Sequence, residues 1–369
     1  MIYLDNGATS FHKPPAVYRA VQDAMRSCAN PGRGGYGAAM EAARRVYGCR
    51  TEAAELFHCQ PEQVVLTSSC THGLNIAIRS LVKPGDRVVV SGFEHNAVTR
   101  PLHALGAEIK VAGRRLFDWG DTIRSFRRAL DEGADAAVFT HVSNVFGYIL
   151  PIGELARMCR ERGIPFIIDA AQSAGVLPVH FSDLGAEFVA MPGHKGLLGP
   201  QGTGLLLCRD TAVPLLQGGT GSESIRQEMP DFLPDRLEAG TLNVPGYAGL
   251  AEGIRYVKRT GEERIFRREH AQLESCIRGL QKLGMQVFAG EHQAGTVSFL
   301  PGIDCEEAAE KLAKQGIAVR AGLHCAPFAH ESAGTLESGT VRVSFGFDAE
   351  KNQTERFLRA ASKLLPPKV

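Results

Sequence analysis

The chain has 369 residues, of which 44% are hydrophobic and 22% charged, with a formal net charge of +1. That length exceeds what one hydrophobic core usually spans, so two domains are predicted, and the composition is that of a folded globule rather than a disordered chain. With no long basic run and no stretch near the roughly 18–20 apolar residues of a membrane span, neither nucleic acid nor a membrane is an expected partner.

The first residues, Met1-Ile2-Tyr3-Leu4-Asp5, lack a charged segment followed by an apolar one, so no secretion signal is expected and a cytoplasmic location is. Residues 14–28 and 36–57 read as helices, the second with apolar positions spaced near 3.6. From Val64 onward, short apolar runs alternate with helical patterns. Strands are predicted at Val64-Val65-Leu66, Arg87-Val88-Val89-Val90, Ala136-Ala137-Val138-Phe139, Phe166-Ile167-Ile168, Phe188-Val189-Ala190 and Gly204-Leu205-Leu206-Leu207. Helices fall between them at 72–82, 96–105, 121–131 and 151–162. Such alternation builds a mostly parallel sheet covered by helices. After Pro245 the pattern changes to a long charged helical stretch at 247–282, then strands near 294–300, 317–320 and 340–344 with helices at 304–315 and 350–364. The predicted class is α/β. A large mostly parallel-sheet domain spans 14–246, and a smaller α+β domain spans 247–369 together with 1–13.

Two strand ends carry the chemistry. Phe166-Ile167-Ile168 runs into Asp169-Ala170-Ala171-Gln172, and Phe188-Val189-Ala190 runs into Met191-Pro192-Gly193-His194-Lys195-Gly196. Carboxyl ends of parallel strands face the ligand crevice of an α/β sheet. A carboxylate and a glycine-flanked lysine side by side there suit pyridoxal phosphate (PLP): the lysine holds the cofactor as a Schiff base, and the acid keeps the pyridine nitrogen protonated. Taken singly, a strand-end Asp is also an ordinary cap and such a Lys an ordinary loop charge. Thr67-Ser68-Ser69-Cys70-Thr71-His72-Gly73 follows a strand and opens a helix, which suits both a phosphate and a plain N-cap. His95 lies just past another strand. Near the carboxyl end, Arg320-Ala321-Gly322-Leu323-His324-Cys325-Ala326-Pro327 sets a thiol on a Gly- and Pro-punctuated loop. The nine cysteines are scattered with no Cys-x-x-Cys, which argues against zinc, for reduced thiols, and for no metal site.

The Lys195 segment, the Cys325 loop, Ser143-Asn144-Val145, Arg236-Leu237-Glu238-Ala239-Gly240-Thr241 and Val341-Arg342-Val343-Ser344 occur in the order found in the PLP-dependent cysteine desulfurases. The chain resembles that family, which shares its class V aminotransferase fold (PLP-dependent transferase fold type I) with selenocysteine lyases. The resemblance runs from Tyr3-Leu4-Asp5-Asn6-Gly7-Ala8 to Arg342 and beyond. It implies pyridoxal 5'-phosphate on Lys195, Asp169 at the ring nitrogen, Gln172 at the ring oxygen, and His95 stacked on the ring and moving protons. Cys70, Thr71 and His194 take the phosphate positions, although Pro192 stands where many relatives have Ser and so removes one hydroxyl contact. Asn144 and Arg342 receive the substrate carboxylate, a task the planar guanidinium fork suits. Cys325 as thiolate takes sulfur from L-cysteine, leaving L-alanine and an enzyme persulfide that a sulfur-acceptor protein unloads, as in iron–sulfur cluster assembly. A homodimer is also implied, with Thr220 of Gly218-Gly219-Thr220-Gly221-Ser222 reaching the neighbour's phosphate and Arg33 of Asn30-Pro31-Gly32-Arg33-Gly34 near its substrate.

Other readings stay open on these residues. A selenocysteine lyase uses the same fold and Cys position, and here Leu323 precedes His324 where a second His often sits. An aminotransferase or epimerase of the same fold would keep Lys195 and Asp169 without needing Cys325. A non-catalytic sulfur carrier would need neither of the pair.

Overall fold

The alternation from Val64 onward becomes a seven-stranded sheet in the computed structural model, which describes residues 1–32 and 34–364. In chain order the elements of the first part are β1 (Ile2–Tyr3), α1 (Pro15–Ser27), α2 (Gly37–Phe57), β2 (Val64–Thr67), α3 (Cys70–Leu81), β3 (Arg87–Ser91), α4 (Asn96–Ala104), β4 (Glu108–Ala112), α5 (Trp119–Asp131), β5 (Ala136–Thr140), α6 (Ile152–Glu161), β6 (Phe166–Asp169), α7 (Phe181–Leu184), β7 (Phe188–Pro192) and β8 (Gly204–Cys208). The sheet order is β2-β8-β7-β6-β5-β3-β4. Its pairs from β7 through β4 are parallel, and β8 runs antiparallel to both its neighbours. Every residue of β2, β5, β6, β7 and β8 is buried, which is why these strands read as continuous apolar runs rather than alternating ones. The edge strand β4, by contrast, alternates exposed and half-buried positions, and its Glu108-Ile109-Lys110 gave no apolar run to find.

The remaining elements are α8 (Val244–Thr260), α9 (Glu262–Lys282), β9 (Gln286–Phe288), β10 (Thr296–Leu300), α10 (Cys305–Ala313), β11 (Ile317–Ala318), β12 (Arg320–Gly322), α11 (Pro327–Ala333), β13 (Thr340–Ser344) and α12 (Lys351–Ala361). The single helix expected over 247–282 is two, broken at Gly261, where φ is 85°. A glycine adopts that conformation without the Cβ strain another residue would meet. The break separates two cores. Tyr247, Leu250, Ala251 and Ile254 of α8 join the core of the large sheet. Leu273, Cys276 and Leu280 of α9 join a second core with Val297, Phe299, Val341, Val343 and Phe357. Ile2 and Leu4 lie in that second core, and β1 pairs in parallel with β11, so the first residues are stitched to the carboxyl-terminal part. A four-stranded antiparallel sheet, β12-β13-β10-β9, forms its floor.

Candidate active site

The lysine turn grows directly out of β7. Gly193 N–H donates to Thr203 O at 2.9 Å and Gly199 N–H to Gly193 O at 2.7 Å, which curls the chain back over the strand end. A Cβ on Gly193 would lie 2.2 Å from Thr203 Oγ1, and one on Gly196 would lie 2.3 Å from Ala174 O, so both glycines are required by close approach. The carbonyl of His194 accepts from Ser10 N–H at 3.0 Å and from Lys13 Nζ at 3.2 Å, which ties the turn to the amino-terminal segment. Burial lowers the Lys195 pKa from its ordinary value, opposed by Cys70 and Asp169. An amine so desolvated has more of its neutral, nucleophilic form.

Asp169 ends β6 next to this turn and is 2% exposed. Its Oδ1 accepts Ala171 N–H at 2.8 Å and lies 3.5 Å from Cys70 Sγ, which leaves Oδ2 free for a further donor. Burial raises its pKa, opposed by the Ala171 bond and by Lys195. Cys70 opens α3, with Ser69 as the cap accepting His72 N–H at 3.1 Å. The Cys70 and Thr71 N–H groups are then first-turn donors without intrahelical acceptors, the feature that binds anions. Gln172 uses Nε2 to donate to Gly7 O at 2.9 Å.

His95 caps α4: Ala97 N–H donates to its Nδ1 at 3.0 Å, so the ring proton sits on Nε2. Burial, helped by Lys195, pushes its pKa down to about 4, and the ring is neutral. His194 behaves similarly, with its pKa lowered to about 4 by burial and its Nδ1 3.0 Å from Thr9 Oγ1. The adjacent Glu94, which sequence reasoning passed over, is fully buried and accepts Thr140 N–H at 2.9 Å and Ser91 N–H at 3.3 Å. Burial raises its pKa to about 8. Glu94 thereby fixes the β3–α4 loop that carries His95 against the end of β5.

The Cys325 loop is held by hydrogen bonds to two other segments. Cys325 is the exposed one of the nine free cysteines. His324 and Cys325 both have left-handed backbones, φ 51° and 56°, a strained pair that persists only when surroundings dictate it. Those surroundings are visible: Asn144 Nδ2 donates to His324 O at 2.8 Å, and Asn96 N–H donates to Cys325 O at 2.7 Å. Behind the loop, His324 Nδ1 lies 3.5 Å from His330 Nε2, and His330 Nδ1 lies 2.8 Å from Thr335 Oγ1. Burial lowers the His324 pKa to about 3. Arg342, 2% exposed, donates through Nη1 to Asn144 O at 2.9 Å, so the expected substrate-carboxylate pair is in contact.

One cavity is lined by Cys70, Thr71, His95, Asn144, Asp169, Gln172, His194 and Lys195. These expected site residues come from parts of the chain far apart in sequence and meet at strand ends. Arg342 and Cys325 do not line this cavity but adjoin it, since Arg342 and His324 both contact Asn144. Thr220 does not line it either. It lines a separate groove with Gly32, Arg50, Glu238 and Thr241, and its Oγ1 lies 2.9 Å from Ser222 Oγ. The expected Arg33 lies outside the described residues, as do residues 365–369. Elsewhere, His58, His180 and Asp183 hold three potential ligand atoms within 4.8 Å of one another, but the two imidazoles stack at 3.9 Å. Rings stacked in parallel cannot both aim a lone pair at one ion about 2.1 Å from each nitrogen.

The class-V aminotransferase model matches residues 2–357. The chain belongs to the class-V aminotransferase family. A probable cysteine desulfurase of Pyrococcus abyssi is 32% identical, over 99% of this chain and 94% of that protein. The apo structure of a cysteine desulfurase from Thermococcus onnurineus NA1 superposes with a TM-score of 0.89 at 32% identity, covering 98% of this chain and 94% of that one. The Escherichia coli cysteine desulfurase CsdA, in an S-sulfonic acid form, superposes with a TM-score of 0.84 at 25% identity, covering 98% and 94%. Among the described residues, no helix is long and apolar enough to cross a membrane.

Proposed function

We propose that this protein is a PLP-dependent cysteine desulfurase that converts L-cysteine to L-alanine and a persulfide on Cys325. The observation that carries the reading is the joining of two features in one network. A desolvated lysine and a buried carboxylate share a cavity with Asn144, and Asn144 in turn pins the loop that bears the exposed thiol. An aminotransferase has no use for the second feature.

The donor set fits the cofactor. Lys195 offers an amine, Asp169 an unengaged Oδ2 for a ring N–H, and the first turn of α3 backbone donors for a phosphate, with His194 alongside. Bound there, PLP supplies the electron sink for bond cleavage in the amino acid. The protein's own groups do the rest. Arg342 and Asn144 orient the substrate carboxylate. Neutral His95, with its proton on Nε2, and the Lys195 amine move protons, because neither is locked in its charged form by its surroundings. Cys325 Sγ attacks the substrate sulfur; the S–S bond forms as the Cβ–S bond breaks, and the electron pair left on the amino-acid fragment is protonated to give alanine.

The exposure of Cys325 lets a protein thiol acceptor reach the persulfide. Nine free thiols suit a reducing compartment such as the cytoplasm. In a homodimer the groove that Thr220 lines, which among the described residues holds no lysine, would face a second copy of the chain. Exposed Met25, Tyr36, Met40 and Tyr47 on or beside α1 and α2 add an apolar face for such a partner copy. The cofactor assignment is tested by borohydride reduction of the coloured holoenzyme and peptide mass spectrometry. The pyridoxyl group is expected on the Lys195 peptide, and its recovery elsewhere overturns the reading.

A further inference from the structure

Arg320 of β12 and Arg342 of β13 stand directly opposite each other in the antiparallel ladder. Like charges so placed repel, and Arg342 is too deeply buried for water to screen it. The carboxylate of Asp5 lies between them. Its Oδ1 accepts from Arg342 Nη2 at 2.6 Å, and its Oδ2 accepts from both Arg320 Nε and Nη2 at 3.0 Å. Asp5 is itself held by a bridge to Ser344 at the end of β13, so the amino-terminal segment delivers the carboxylate to a fixed place. Arg342 still has capacity beyond these contacts. Nη1 reaches Asn144 O, while the Nε–H is buried without a partner. Two guanidinium groups and one carboxylate leave a local charge of +1, which one further carboxylate neutralises.

We propose that Asp5 is a specificity-determining positioning residue, which aims the Arg342 fork and trims the charge of the carboxylate subsite to +1, so that amino acids with one carboxylate are taken in preference to dicarboxylic ones. This inference rests on the reading of Arg342 as receiver of the substrate carboxylate. With Asp5 present, a second anionic group on the amino acid finds no uncompensated cation in the triad. Without it, the triad carries +2 and welcomes one.

The test uses the holoenzyme and two competitive inhibitors of L-cysteine turnover, L-alanine with one carboxylate and L-aspartate with two. Asp5→Asn should shift the ratio of their inhibition constants toward L-aspartate by roughly tenfold or more, the scale of one added unit charge at contact range. Asp5→Glu, which keeps the charge, should stay within roughly twofold of the parent. Arg320→Gln lowers the triad to zero and should shift the ratio the opposite way. Its side chain is 51% exposed, so it carries the test even if Asp5→Asn fails to fold. A purely structural Asp5 would weaken both inhibitors together. An unmoved ratio in Asp5→Asn, or in Arg320→Gln, therefore overturns the inference. Arg342→Lys separates the two levels. If it weakens both inhibitors while the ratio stays fixed in the other variants, only the role of Asp5 falls. If it weakens neither, the assignment of Arg342 falls and the inference with it.

Discussion

Glu269 on α9 gives a pH-dependent stability that can be worked out from its surroundings. The side chain is 7% exposed and lines the junction between the two cores with Asn6, Gln172 and Lys195. Burial, with the like charge of Asp348, raises its pKa from 4.5 to about 8. At pH 7 the folded chain therefore holds this carboxyl protonated, whereas the unfolded chain ionises it near 4.5. Folding takes up a proton, so the contribution of Glu269 to stability is complete below about pH 4.5 and is lost as pH rises through about 8. At 1.36 kcal/mol per pH unit, the interval from 4.5 to 7 amounts to about 3 kcal/mol. Glu269→Gln keeps the shape and removes the titration. Urea unfolding of variant and parent, run in parallel at several pH values, should give nearly equal stability at pH 5. The variant should gain by about 3 kcal/mol at pH 7 and somewhat more at pH 8. A difference that does not change with pH would refute the reasoning, because it would mean that Glu269 is ionised and solvated in the folded chain.

Below neutrality the buried histidines should dominate. His95, His141, His194 and His330 are held near pKa 4 and His324 near 3, all primarily by burial, so their neutral forms favour folding above about 6.5 and lose that advantage as pH falls. With His72, lowered in the same sense, these histidines outnumber the carboxyls raised by burial, Glu94, Asp169, Glu238, Glu262 and Glu269, so thermal stability should fall from pH 6.5 to 4.5; a midpoint that rises as pH falls over that interval would contradict the assignment. Glu238→Ala should cost about 3–5 kcal/mol in unfolding free energy, because Arg50, 6% exposed and bonded to Glu238 through both Nη atoms, would be left a buried unpaired charge. A loss below about 1 kcal/mol would show that Arg50 finds another partner. Asp169→Ala should retain some bound PLP, seen by its absorbance, yet lose nearly all turnover; near-normal turnover would mean another acid serves the ring nitrogen.

Local signals in the chain sufficed for the buried centre of the sheet and for the residues at its strand ends. Ile168-Asp169 and Ala190 to Lys195 could be read because fully buried parallel strands leave unbroken apolar runs, and the crevice lies where those runs stop. The loop of Cys325 could be read from its Gly and Pro punctuation. The edge strand β4 could not, since two of its five positions face water and two more are half-buried. Gly261 looked like one more residue of a long helix because a single glycine is tolerated there; only its positive φ marks the break. Asp5 and Glu94 are the instructive omissions. Asp5 meets Arg342 across 337 positions of sequence, and Glu94 meets Thr140 across 46, so no local period reports either contact. The guanidinium partners of Asp5 and the Thr140 partner of Glu94 are supplied by the tertiary fold, although Glu94 also bonds nearby Ser91.

The central claim is that Cys325 removes sulfur from L-cysteine bound over Lys195. Its most direct test is the release of L-alanine from L-cysteine by holoenzyme and by Cys325→Ala, with L-selenocysteine run alongside. The parent should release alanine from L-cysteine and carry one added sulfur on the Cys325 peptide. The variant should bind L-cysteine, seen as a change in the cofactor absorbance, yet release no alanine from it, while activity on L-selenocysteine can persist because the weaker C–Se bond needs no protein nucleophile. Full release of alanine from L-cysteine by Cys325→Ala would contradict the account.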